Sequence, residues 1–228
     1  MEIKGFQKTS LIDYPGHICA TVFTPGCNLR CPFCFNRDLV LQPEKLPAIP
    51  RPEILDFLKK RAHLLDGICI SGGEPTLHSG LKGFLGEVRS LGLKIKLDTN
   101  GTRPGILQAL LDDELLDYIA LDIKSPPEKY NFASGGRVVL KDILSTIRIL
   151  SSSCIDHEFR TTVIPGLDRD DLLRIARILA GAQRYVLQPF RPGKILEPSL
   201  NARTALAGEA LQEVAAACSE FVKKVHVR

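Results

Sequence analysis

Along this chain, short runs rich in Ile, Val, Leu and Tyr alternate with stretches whose apolar positions recur every three or four residues. Six runs read as strands: ICATVF (18–23), GICIS (67–71), LKIKLD (93–98), YIALDIK (118–124), EFRTTVI (158–164) and RYVLQ (184–188). Between them, Ile54, Leu58, Ala62 and Leu65 share one helical face, with Pro52 near its start and Gly67 past its end. Leu81, Phe84, Leu85, Val88 and Leu91 form a second stripe, closed by Gly92. Ile143, Leu144, Ile147 and Leu150 make a third, and Leu172, Ile175, Ala176 and Leu179 a fourth. A last helix carries Leu206, Ala210, Leu211, Val214, Cys218 and Phe221, and GTRPGILQALLDD (101–113) is a shorter helical piece.

Strands alternating with helices argue for a parallel α/β sheet. Mixed strands such as LKIKLD suit a sheet with one face turned to a ligand, and in such folds ligands sit at the C-terminal strand ends. Polar residues collect there: Glu74 after the second strand, Asp98, Thr99 and Asn100 after the third, Asp122 and Lys124 at the fourth. Arg160 lies in the fifth and Gln188 ends the sixth. A polar group near every strand end implies a shared site.

The chain has 228 residues, 44% hydrophobic and 25% charged, which fits one ordinary globular domain over 1–228, its segment 1–17 preceding the first sheet strand. A net charge of +4, with only short basic runs at 59–61 and 223–224, gives no argument for nucleic-acid binding. No apolar run approaches the roughly 20 residues of a membrane span, and the N-terminus lacks a secretory layout, so a cytoplasmic location is expected. Seven cysteines is an odd number: Cys27, Cys31 and Cys34 cluster while Cys19, Cys69, Cys154 and Cys218 stand alone. That favours a metal or cluster role in a reducing compartment over a disulfide framework.

PGCNLRCPFCFN (25–36) spaces its thiols Cys-x3-Cys-x2-Cys in what reads as an exposed loop. Three thiolates hold a structural zinc if a fourth ligand arrives, Cys19 or His17 being near in sequence. They also hold three irons of a [4Fe–4S] cube, leaving the fourth iron open to another ligand. Cys69 and Cys218 read as small core residues, and Cys154 lies in a probable loop.

The cysteine motif, with aromatic Phe33 before its third Cys and GGEPTL (72–77) at the end of the next strand, resembles the radical S-adenosylmethionine (SAM) enzymes. The resemblance implies a partial (β/α)6 barrel, with the cluster and SAM at the C-terminal ends of its parallel strands. It also implies a [4Fe–4S] cluster on Cys27, Cys31 and Cys34 whose unique iron binds SAM. One electron from that cluster would cleave SAM to methionine and a 5′-deoxyadenosyl radical.

Residue by residue, the resemblance places Gly72, Gly73 and Glu74 at the methionine ammonium of SAM and Phe33 by the adenine. LDTNG and ALDIK resemble the glycyl-radical-enzyme activases, in which Asp98, Thr99, Asp122 and the carbonyl of Ala120 would surround a monovalent cation, K+ or Na+, beside SAM. The ordinary alternative is that Asp98 caps a turn and Asp122 pairs with Lys124. Arg160 would reach the SAM carboxylate or ribose, or else make an interior ion pair. Asn36, Asn100, Lys124 and Gln188 complete the implied cofactor contacts. Two positions depart from the pattern: Phe35 stands where many activases have His, and Phe190-Arg191 where they carry Tyr-His.

GFQKTSLIDYPGHICATVFTPGCNLRCPFCFN (5–36) looks like the activating proteins of anaerobic ribonucleoside-triphosphate reductases, whereas pyruvate formate-lyase activases usually show Asp-Gly-Pro-Gly at 13–16. The implied activity is removal of a Cα hydrogen from a glycine in a partner glycyl radical enzyme. A flavodoxin- or ferredoxin-type protein would donate the electron. Alternatives are activation of a pyruvate formate-lyase-like enzyme, a radical SAM reaction on a small molecule such as a deazapurine-type precursor, and a non-enzymatic zinc module.

Overall fold

The computed structural model describes residues 1–136 and 138–228, and its chain divides into two compact units. The first comprises residues 1–28, 38–99 and 103–120, the second 29–37, 100–102 and 121–228.

The first unit begins with β1 (Gly5–Ser10), antiparallel to β2 (Cys19–Thr24). After α1 (Arg37–Leu41) and α2 (Arg51–Arg61) come β3 (Gly67–Gly72), α3 (Leu81–Ser90), β4 (Lys94–Thr99) and α4 (Pro104–Asp112). β2, β3 and β4 pair in parallel, in chain order. Period-2 alternation divides the two faces of these strands. Ile68, Ile70, Ile95 and Leu97 point one way and are fully buried, as are Ile54, Leu58, Phe84, Leu85 and Val88 of α2 and α3. α3 packs on β4 and α2 on α3, so this face is the unit's apolar core. The other face carries Cys19, Cys69 and Lys96, with Tyr14, Tyr118 and Ala120 in contact with the two cysteines. β5 (Tyr118–Asp122) gives its first three residues to this unit and its last two to the second.

In the second unit, α5 (Tyr130–Ser134) and α6 (Leu140–Ser152) precede β6 (Asp156–Val163). Then follow α7 (Arg169–Ile178), β7 (Arg184–Pro189), α8 (Gly208–Cys218) and β8 (Lys224–Val227). β6, β7 and β8 are parallel neighbours, with Arg160 beside Val186 and Thr162 beside Gln188. α7 packs on α8 and α8 on β8, burying Leu172, Ile175 and Ala176 with Leu211, Val214 and Cys218.

All six expected strands are present, and so are the six helical patterns. Two further strands, β1 and β8, were not read from the sequence. GFQKTS and KVHV lack the long apolar run that marks a strand buried on both faces, and each pairs at the end of its unit's strand order. The strand expected over 118–124 ends at Asp122, leaving Ile123 and Lys124 in the connection beyond it.

Candidate active site

Parallel pairing brings two loops of the first unit out together, because Thr24 at the end of β2 lies beside Gly72 at the end of β3. Pro25-Gly26-Cys27 follows one strand and Gly73-Glu74-Pro75 the other. Their backbones interlock: the Gly73 amide donates to Thr24 O (2.8 Å), the Glu74 amide to Gly26 O (2.9 Å) and the Gly26 amide to Leu39 O (2.8 Å). Gly72 has φ +114°, a conformation that side chains disfavour. A Cβ there would strike the Thr24 backbone, and one on Gly73 would strike the Gly26 carbonyl. Both glycines are therefore required by close backbone approach. His78 Nε2 reaches Pro25 O at 2.9 Å and braces the same segment.

Glu74 is 1% exposed. Its Oε1 accepts from the Thr76 amide (3.1 Å), the Thr76 hydroxyl (2.5 Å) and the Thr99 hydroxyl (2.8 Å). Next along β4, Asp98 accepts from Ser71 Oγ at 3.0 Å and forms an ion pair with Lys96. Asp98 thus holds a lysine beside it on the same face of β4.

The other two cysteines lie in the second unit. Cys31 and Cys34 are joined by a turn, the Cys34 amide donating to Cys31 O at 3.0 Å. The expected exposed loop is in fact well anchored: Leu29, Cys31 and Phe33 are buried, since two apolar side chains in so short a stretch find cover. Arg30 N bonds Ser134 O, Glu197 N bonds Pro32 O (2.8 Å) and Leu196 N bonds Cys34 O (3.1 Å). Phe35 is 56% exposed, its ring edge lying on Gly193.

Lys124 Nζ stands 5.8 Å from the Phe33 ring centroid and 3.1 Å from Asp122 Oδ2, while Arg160 Nε donates to Asp122 Oδ1 at 2.8 Å. Burial opposes ionisation of Asp122, but the Arg160 and Lys124 charges outweigh it and hold the carboxyl well below its usual range. Lys124 is likewise held protonated despite its burial, by Asp122 and then by Cys31. Burial pushes the Cys34 thiol up, with Lys124 and Arg30 pulling the other way. Both ordinary alternatives for this corner are present, the Asp122–Lys124 pair and the Arg160 ion pair. Gln188 sits beside Thr162 and shares a face with Arg160. Asn100 accepts from the Thr102 amide and hydroxyl (3.0 and 2.7 Å) through Oδ1.

Cys19 and His17, the candidates for a fourth protein ligand, each have other neighbours within the first unit. Cys19 is fully buried against Tyr14, Cys69, Tyr118 and Ala120, and burial raises its thiol to about 11. His17 stacks edge-on against Tyr14 and faces Asp66 at 3.9 Å. Among the described residues, no three His, Cys, Asp or Glu side chains are gathered tightly enough to hold a single metal ion. Within the second unit, the Lys124 charge beside the Cys31 and Cys34 thiols suits soft thiolate ligands of an anionic iron–sulfur cluster.

Sequence comparison decides the class: residues 21–179 match the radical SAM superfamily. The chain belongs to that superfamily. A Methanocaldococcus jannaschii protein provisionally named a glycyl-radical enzyme activating enzyme is 29% identical over 99% of this chain and 95% of its own. The pyruvate formate-lyase-activating enzyme of Streptococcus mutans is 30% identical over 82% of this chain and 76% of its own. Among solved structures, Streptococcus suis SuiB bound to S-adenosylmethionine superposes with a TM-score of 0.69 at 14% identity. That match covers 91% of this chain and about half (51%) of SuiB, and it shows a shared fold. As a radical SAM enzyme, this protein uses a [4Fe–4S] cluster and SAM.

One residue that radical SAM motifs do not announce is Lys96, 1% exposed, its Nζ 3.7 Å from Cys69 Sγ and paired with Asp98. The signal was in LKIKLD: period-2 alternation sets Lys96 and Asp98 on one face, where a buried lysine needs a carboxylate. Asp13 was also missed; it accepts from the Thr21 hydroxyl at 2.7 Å, a pairing between loop and strand that no local pattern encodes.

Proposed function

We propose that this protein activates a glycyl radical enzyme, removing a Cα hydrogen from one glycine of a partner protein. The observation that carries the reading is likeness over nearly the full length of both chains to the M. jannaschii activating-enzyme relative. In this reading residues 1–228 work as one catalytic domain, and Cys27, Cys31 and Cys34 hold the cluster. When bound, the cluster supplies the electron that cleaves SAM to methionine and a 5′-deoxyadenosyl radical.

The chain's own residues then have distinct tasks. Gly72, Gly73 and Glu74 receive the SAM ammonium, with the Glu74 carboxylate held in place through Oε1 by Thr76 and Thr99. Phe33 and Asn36 flank the adenine side. Arg160 and Lys124, pre-oriented by Asp122, offer positive charge to the SAM carboxylate, and Asn100 and Gln188 supply polar contacts at neighbouring strand ends.

The favoured partner is an anaerobic ribonucleoside-triphosphate reductase, on the likeness of residues 5–36 to its activating proteins. A pyruvate formate-lyase-like partner comes second, on the likeness to the S. mutans enzyme. The electron donor in this reading is a flavodoxin- or ferredoxin-type protein, and the setting is the cytoplasm; among the described residues, no helix is long and apolar enough to cross a membrane.

The test is anaerobic mixing of the reduced holoenzyme and SAM with each candidate partner. A glycyl-type EPR doublet on one of them supports the assignment. An intact, reducible cluster that gives no doublet with either, yet forms 5′-deoxyadenosine with a small molecule, would sink it.

A further inference from the structure

We propose that the ammonium of Lys96 is the resident countercharge of Asp98, so that SAM binds here without the alkali cation implied at Asp98, Thr99, Ala120 and Asp122. This rests on membership of the radical SAM superfamily and not on the identity of the protein partner.

An alkali ion in a protein takes hard, negatively polarised oxygens with lone pairs to spare. Here both carboxylates already face cationic side chains. Asp98 Oδ1 pairs with the Lys96 ammonium and Oδ2 accepts from Ser71 Oγ at 3.0 Å. In the second unit, Asp122 Oδ1 accepts from Arg160 at 2.8 Å and Oδ2 from Lys124 at 3.1 Å. Three of the four carboxylate oxygens therefore face a cationic side chain. The residues present do not fit a further monovalent cation: one bound at Asp98 would sit against an ammonium in a poorly solvated place, where like charges repel strongly.

Lys96 is built into its position. It lies mid-strand in β4, beside Cys69 in the parallel register, with no route to solvent for its charged end. A buried ammonium is tolerated when a carboxylate meets it, and Asp98, two residues along on the same face, does so. The tethered ammonium neutralises Asp98 at all times, whereas a free ion would do so only at sufficient concentration.

The experiment measures SAM binding to the anaerobically reconstituted holoenzyme in choline salts, with K+ or Na+ titrated in at constant ionic strength. Equilibrium dialysis gives the dissociation constant, and the SAM-induced change in the EPR spectrum of the reduced cluster reports correct placement. Wild type should change affinity by less than about twofold across the series, below the coupling usually seen between two linked sites. Lys96→Met should bind SAM about tenfold more weakly in choline and recover most of that loss in K+. Wild-type binding that collapses in choline and returns with K+ overturns the proposal, as does a Lys96→Met enzyme indifferent to K+. If the variant does not fold, the wild-type series decides alone. Failure to bind SAM in every salt would overturn the cofactor assignment as well, which separates the two.

Discussion

The carbonyl of Gly26 occupies the space that a side chain on Gly73 would need, so the loop entering Cys27 and the Gly-Gly-Glu turn are fitted to each other backbone against backbone. A single methyl group at position 73 must push Gly26, and with it Cys27, away from β3. Gly73→Ala should leave the apolar face of the sheet intact while lowering iron and sulfide bound per chain. SAM cleavage should fall about 100-fold, the usual result of misplacing a reacting group by an ångström. Metal analysis beside circular dichroism checks this; a variant with a full cluster and normal turnover would show that the loop is free to shift.

Cys19 offers the converse case. Its thiol is fully buried and raised to about 11 by that burial, so it stays protonated at neutral pH and serves as packing. Cys19→Ala should keep full iron and sulfide content and cost about 1 kcal/mol of stability in denaturant titration. Alanine at Cys27, Cys31 or Cys34 should each abolish the cluster. Loss of iron from Cys19→Ala would reinstate a fourth protein ligand.

Asp171 ties α7 to the segment before α5. It closes a reciprocal cap with Asp168 and accepts from Lys129 at 2.6 Å and from Arg174. Burial works against its ionisation, but Lys129, the Asp168 amide and Arg174 prevail and set its pKa below the ordinary carboxylate value. A depressed carboxylate contributes stability that is present above its unfolded pKa, about 3.9, and is lost as pH falls through the lower folded value. Asp171→Asn should therefore cost about 1–2 kcal/mol at neutral pH, solvent screening at half-exposed Lys129 and Arg174 keeping the figure modest. The difference from wild type should shrink below about pH 4. Denaturant titrations at several pH values test it, and a difference constant down to the lowest pH would refute the ionic account.

How much of this was legible beforehand follows from where each signal lies. The strands holding Ile68, Ile70, Ile95 and Leu97 were visible because their burial leaves a local pattern. The two Gly-rich and Cys-rich loops were visible because close backbone approach and metal ligation restrict residue type severely. The Lys96–Asp98 pair was available from alternation but was passed over, since a lysine in a strand is usually solvated. The bonds from Leu196 and Glu197 to the cysteine loop left no trace, because backbone amides make them and every residue except proline has one. The same reason hid β8, whose KVHV pattern is ordinary until β7 lies beside it.

Those amides also account for Phe35, the departure beside the cysteine motif. Its ring lies mostly in solvent with one edge on Gly193, while the loop it belongs to is held by Leu196 N to Cys34 O and Glu197 N to Pro32 O. The identity of residue 35 should therefore matter little and the backbone strap a good deal. Phe35→His should retain its cluster and shift stability by less than about 0.5 kcal/mol, as exposed substitutions generally do. Leu196→Pro, which deletes the N–H held by the Cys34 carbonyl, should lose a bond worth about 1 kcal/mol and more if that carbonyl stays buried. Iron should then leave to a strong chelator about tenfold faster. Chelation kinetics on the two variants separate these roles: faster iron loss from Phe35→His than from Leu196→Pro would place the support of Cys34 in the side chain instead of the strap.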